Sequence, residues 1–136
     1  MGVLVLYVPR WSRSRPAYTA DPGFISQVIE ESGCHLLLDL GHARIAAHYR
    51  GEPERDYLAR HPLDRVIEIH VSGPRPGPYP DGRLIDAHQP MLEADYELLA
   101  WVLAQSRPRA VTLEYSKDRA QIVTQLVRLR ALLDSL

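Results

Sequence analysis

The sequence predicts an α/β protein made of parallel (β/α) units, four in number, which is half of a TIM (β/α)8 barrel. Three observations carry this. Short, continuous, β-branched apolar runs recur along the 136 residues, as in strands buried on both faces. A helix-period segment follows each run, and such alternation implies a parallel sheet with helices packed outside it. Ionisable residues gather at the C-terminal ends of the runs, where parallel α/β folds place their sites.

The first strand is Val3 to Val8, followed by a loop rich in Pro, Arg and Ser from Pro9 to Asp21. Asp21 offers an N-cap with Pro22 at the first helical position, and Phe24, Ile25, Val28 and Ile29 share a face until Gly33 ends the helix. The second strand, His35 to Leu40, leads to a helix from about His42 to Tyr49 closed by Gly51, then to a short helical piece near Glu54 to Arg60. Arg65 to Val71 is the third strand, and a long Gly/Pro loop from Ser72 to Pro90 precedes a helix over Leu92 to Gln105. Ala110 to Glu114 is the fourth strand, and the last helix places Ile122, Leu126, Leu129 and Leu133 at helical spacing. No internal repeat divides the chain, so residues 1–136 read as a single partial TIM-barrel domain. A whole barrel takes about 250 residues. The four units therefore pair with another half, belong to a longer chain, or flatten into a small open sheet.

Composition bounds the partners. A hydrophobic share of 46% builds a core, and 16 basic against 17 acidic residues give a net charge of −1, with no field to draw in a nucleic acid or an anionic membrane. No run approaches the roughly 20 apolar residues that cross a bilayer, and the opening segment lacks the basic start and small-residue cleavage site of a secretory signal. The single cysteine, Cys34, reads as a small buried hydrophobe and fits a reducing compartment; the expected location is the cytoplasm.

The residues that could carry chemistry lie at strand ends: Asp39 and His42 after the second, His70 in the third, Asp86 and His88 in the long loop, and Glu114 at the end of the fourth. Imidazoles and carboxylates without thiolate suit Fe(II), Mn(II) or Zn(II). Each has a plainer reading as well. Asp39 reads as a helix cap, His42 as a helix-start surface residue, His70 as a core histidine, Asp86 and His88 as loop residues, and Glu114 as a partner for Lys117. His35, His48 and His61 fall away from the strand ends and read as structural or surface residues. Arg10, Trp11, Arg13, Arg15 and Tyr18 form a small cationic and aromatic patch on the first loop, read as solvated or as a grip for an anionic or peptide substrate. There is no Gly-rich phosphate cradle, no Gly-x-Ser-x-Gly elbow and no paired Cys motif.

Taken in order, Leu36-Leu37-Leu38-Asp39, Glu68-Ile69-His70-Val71-Ser72-Gly73, Leu84-Ile85-Asp86-Ala87-His88 and Leu113-Glu114 resemble the multinuclear non-haem iron-dependent oxidative enzymes, the MNIO family. The resemblance implies the C-terminal half of a xylose-isomerase-like TIM barrel. It further implies a centre of two or three irons and oxidative modification of cysteines in ribosomally made peptides during natural-product biosynthesis, often with a partner protein. It puts Asp39, His70, Asp86, His88 and Glu114 at the family's iron-ligand positions, and His42 roughly where the family has an asparagine ligand. Two departures stand out. Leu6-Tyr7 replaces a Glu-Asn pair at the end of the first strand, and Pro74 replaces a second histidine. Beside the iron enzyme, two other functions are compatible with the residues: a divalent-metal isomerase or hydrolase of the xylose-isomerase type, and a truncated half-barrel that acts as a non-catalytic interaction module. Open strand edges further predict self-association or pairing with a missing barrel half.

Overall fold

The computed structural model describes residues 2–5, the last three by backbone alone, and residues 18–135. The Leu6-Tyr7 departure and most of the Arg/Trp patch, apart from Tyr18, lie outside the described residues. Four strands form one wholly parallel sheet: β1 (Val3–Val5), β2 (His35–Asp39), β3 (Val66–Val71) and β6 (Ala110–Leu113), in the order β1-β2-β3-β6. The sheet is thus sequential, the order of a barrel segment rather than of a doubly wound sheet.

The helices start and stop where the local chemistry dictates. Helix α1 (Pro22–Ser32) is capped by Asp21, which accepts from the Phe24 N–H at 2.9 Å, and ends at Gly33, whose φ of 67° is the left-handed conformation glycine adopts without strain. Helix α2 (Leu40–Arg50) begins on Asp39 and ends on Gly51, and α3 (Glu54–Ala59) follows directly. Helix α4 (Glu93–Leu103) is opened by Asp95, whose carboxylate accepts from the Leu92 N–H at 2.6 Å. The same buried Asp95 is ion-paired to Arg44 of α2, which also meets Glu54 at 2.7 Å, so one guanidinium ties three helices together. Asp118 caps α5 (Arg119–Asp134).

The core lies between the helices and one face of the sheet. Leu36, Leu38, Ile69 and Val71 are fully buried against Ile25, Ile29, Ala43, Ala47, Leu58, Leu99 and Val102. Leu37, Glu68, His70 and Thr112 alternate with them and project from the other face, where they are only half-buried. The sequence led us to expect strands covered on both faces, and this corrects it. The uncovered side is the one that lines a barrel, and four units do not close around it.

Two further expectations are corrected. The stretch from Ser72 to Pro90 is not a loop but a hairpin, with β4 (Gly73–Pro76) antiparallel to β5 (Leu84–Gln89). Its Pro content hid it. Pro74 and Pro76 are tolerated because β4 is an edge strand with no further ladder to feed, and Gly73 is required because a Cβ there would stand 2.5 and 2.6 Å from the carbonyl oxygens of Pro90 and Gln89. Helix α5 is rotated from the face we expected. Gln125 and Leu129 are buried and Ile122 and Leu132 half-buried, whereas Leu126 and Leu133 point outward beside Val123 and Val127. A buried glutamine decides the rotation, its amide oxygen accepting from the Met91 N–H at 2.8 Å.

Candidate metal centre

A β-bulge sets the site. Leu36 pairs with Val66, but Leu37 pairs with Glu68, so one residue of β3 is skipped and Asp39 comes to lie beside His70 instead of Ile69. His70 pairs in turn with Thr112 of β6. Asp39, His70 and Thr112 therefore form one row across three strands on the half-exposed face, and Glu114, two residues past Thr112, completes the rim.

One donor atom from each of Asp39, His70 and Glu114 lies within 4.8 Å of the others. His70 Nδ1 is 3.0 Å from Glu114 Oε1, and its Nε2 is 3.1 Å from Glu68 Oε1. The remaining expected residues join the same constellation. Asp86 of β5 stands between two imidazoles, 3.0 Å from His88 Nε2 and 3.2 Å from His42 Nε2, and the other ring nitrogen of His42 is 3.2 Å from Asp39 Oδ2. His88 Nε2 approaches Glu114 Oε2 at 4.0 Å. Carboxylates and imidazoles alternate from Glu68 through His70, Glu114, His88, Asp86 and His42 to Asp39.

The supports are local. Asp39 does two things at once: one oxygen caps α2 by accepting from the His42 N–H at 2.9 Å, and the other faces the His42 ring. Between these two residues, Gly41 admits the Ser72 hydroxyl to within 2.5 Å of where a Cβ would sit. His88 holds a left-handed backbone, φ 43°, a conformation rare outside glycine and concentrated at functional positions. Lys117 donates to the carbonyl of Ala87, between Asp86 and His88, at 2.8 Å.

Burial raises the Asp39 carboxyl above the usual carboxylate range; His42 and its backbone N–H oppose this, while Glu114 and Asp86 add to it. Glu68 moves the other way, its carboxyl held low first by the Thr112 hydroxyl and then by His70. Several carboxylates converging with imidazoles between them is an arrangement that a cation suits. The donor set, oxygen and imidazole nitrogen without thiolate, fits a divalent first-row metal.

All six residues singled out from the sequence thus meet at one end of the sheet, with Asp86 and His88 carried on a strand and not on a loop. His35, His48 and His61 stay away from it: His48 is exposed on α2, and His61 is buried against Tyr57. The sequence reading passed over Glu68 and Thr112. The signal was there: Glu68 precedes His70 by two, the strand spacing that puts both on one face.

A sequential parallel α/β sheet with a carboxylate and imidazole cluster at its C-terminal edge is an architecture that could hold a metal ion. The family model for the RiPP precursor modification enzymes MbnB/TglH/ChrH matches residues 10–132, and the chain belongs to that family. A UPF0276 protein of Bordetella pertussis is 36% identical over 105 residues, 75% of this chain and 36% of its own length. A UPF0276 protein of Caulobacter vibrioides is 32% identical over 102 residues, 73% of this chain and 35% of its own. The chain thus spans about a third of the length of these relatives. A xylose isomerase domain containing protein from Salmonella typhimurium superposes with a TM-score of 0.49 at 25% identity, over 79% of this chain and 43% of that one. Among the described residues no helix is long and apolar enough to cross a membrane.

Proposed function

We propose that this chain supplies the metal-binding sector of an iron-dependent oxidative enzyme that modifies cysteine-containing peptides. The observation that carries the reading is the convergence of Asp39, His70 and Glu114 within 4.8 Å, continued through His88, Asp86 and His42. In this proposal those six residues hold the metal. Iron(II) bound there, with coordination positions left open, supplies O2 activation and a place for the substrate thiolate. The chain's own part is positional. Asp39 fixes the start of α2 and so the His42 ring, the left-handed turn at His88 aims that imidazole back over Asp86, and Lys117 holds the segment between them. The half-exposed sheet face leaves room for an extended peptide beside the centre. Since the match covers only about a third of the relatives' length, the wall opposite this face, further ligands and the contacts to substrate and partner protein come from outside these four units. A thiol substrate and a lone cysteine fit the cytoplasm as the place of action.

A second reading has one observation in its favour. The sheet face that a barrel encloses is open here, as a truncated half-barrel serving as an interaction module would have it. Metal analysis of the chain purified without oxygen, together with its solution mass, tests the two. Bound iron that is lost in His70→Ala supports the enzyme. A parent that takes up no Fe(II) under anaerobic loading overturns it in favour of the module, and binding of Mn(II) or Zn(II) without peptide oxidation favours an isomerase or hydrolase instead.

A further inference from the structure

We propose that Glu68 is a positioning residue: its carboxylate, oriented by the Thr112 hydroxyl, holds His70 in the tautomer protonated at Nε2 and so presents Nδ1 towards Glu114 as the metal-binding atom. This rests on the metal-centre reading above and deepens it.

Three observations carry the inference. Glu68 and His70 stand two apart on β3 and share the half-exposed face, so the carboxylate reaches the ring from its own strand. One oxygen, Glu68 Oε1, meets both the Thr112 hydroxyl at 2.7 Å and His70 Nε2 at 3.1 Å. A carboxylate oxygen has two lone pairs, and with Thr112 donating to one, the other is placed to accept an N–H from Nε2. A neutral imidazole has only one N–H. With that N–H on Nε2, Nδ1 is a bare lone pair 3.0 Å from Glu114 Oε1, on the side where the converging donors would hold a metal. Two acceptors so placed repel each other unless a cation lies between them, and 3.0 Å is close to the separation of two donors each about 2.1 Å from one metal at a right angle. Glu68 itself is outside the group of converging donors, which is Asp39, His70 and Glu114. Its place is behind the ligand, where an outer carboxylate fixes ring orientation and raises the basicity of the coordinating nitrogen.

The test uses Glu68→Ala, Glu68→Gln, Thr112→Val and, as a charge control on the exposed face of α4, Glu97→Ala, with circular dichroism to confirm folding. Two quantities are read: Mn(II) affinity by chelator competition, and the His70 ring nitrogens by 15N NMR, in the metal-free and Zn(II)-loaded chain, about two pH units above the ordinary imidazole value of about 6.5. The Zn(II)-loaded parent shows His70 protonated at Nε2. Glu68→Ala loses roughly 10- to 100-fold in affinity and shows a mixture of tautomers. Glu68→Gln, whose amide oxygen still accepts, keeps the tautomer and falls between the two; Thr112→Val loses less than Glu68→Ala, and Glu97→Ala matches the parent. Protonation at Nδ1 in the Zn(II)-loaded parent, or a Glu68→Ala chain with the parent's tautomer and affinity, overturns the inference. A parent that binds no metal but shows the Glu68-dependent Nε2 proton sustains the positioning role and overturns the metal reading alone.

Discussion

Asp39 carries two loads that substitution separates. As the cap of α2 it accepts one backbone N–H, and in the proposed centre it is a metal ligand. Asp39→Ala removes both. Loss of the cap costs about 1 kcal/mol, within a range of about 0.5–2, which for a domain of this length lowers the melting temperature by about 4 °C. Asp39→Asn keeps a side-chain oxygen for the cap, since Asn and Asp cap about equally, and removes a carboxylate whose ionisation burial opposes. Its metal-free stability should therefore lie within about 0.5 kcal/mol of the parent or above it. Added metal separates the variants again. An ion at a hundred times its dissociation constant stabilises the folded state by about 2.7 kcal/mol, or roughly 10 °C for the parent. Both variants should lose more than half of that shift. Thermal unfolding followed by circular dichroism under anaerobic conditions, with and without Fe(II) or Mn(II), measures all of this. An Asp39→Asn chain with the parent's metal-induced shift refutes Asp39 as a ligand. Equal metal-free stability of the Ala and Asn variants refutes its part in capping.

Other expectations follow from the same geometry. His70→Ala abolishes metal binding while the chain still folds, because the side chain is half-exposed at a strand end; retention of the parent's metal content in elemental analysis counts against it. Metal affinity falls as pH drops, since protons and the ion compete for the ring nitrogens, and an affinity unchanged between neutral and mildly acidic pH in chelator competition counts against imidazole ligation. Buried His61 leaves metal content unchanged but controls acid stability. Its pKa is lowered chiefly by burial, so the unfolded chain binds the proton more readily; its contribution is complete above the unfolded value of about 6.5 and is lost as pH falls below it. A urea midpoint that changes between neutral and mildly acidic pH as steeply in His61→Ala as in the parent contradicts this. Finally, among the described residues β6 pairs only with β3, and Val123, Leu126, Val127 and Leu133 are exposed on α5, so the chain should sediment above its monomer mass of 15.4 kDa. Leu126→Lys combined with Val127→Lys should weaken the association, and a parent that is monomeric at high concentration shows those surfaces to be covered.

What the sequence determined by itself was whatever its local patterns encode. The apolar runs at Leu36–Leu38 and Val66–Val71 specify strands, the Asp21-Pro22 and Gly33 pair brackets α1, and the short motifs ending in Asp39, His70 and Glu114 place chemistry at strand ends, because parallel strands point their C-termini the same way. The tertiary structure decided what depends on partners distant in the chain. The bulge that sets Asp39 beside His70 exists only in the pairing of β2 with β3, and periodicity within β3 cannot reveal it. The hairpin at 73–89 depends on Gly73 fitting under the carbonyls of Gln89 and Pro90, a contact invisible in a Pro-rich stretch. The rotation of α5 follows from Gln125 bonding to the Met91 backbone, against the apolar pattern of Leu126 and Leu133. Glu68 joined the site only once β6 brought Thr112 to it, since a carboxylate in a strand takes its role from the neighbour that donates to it.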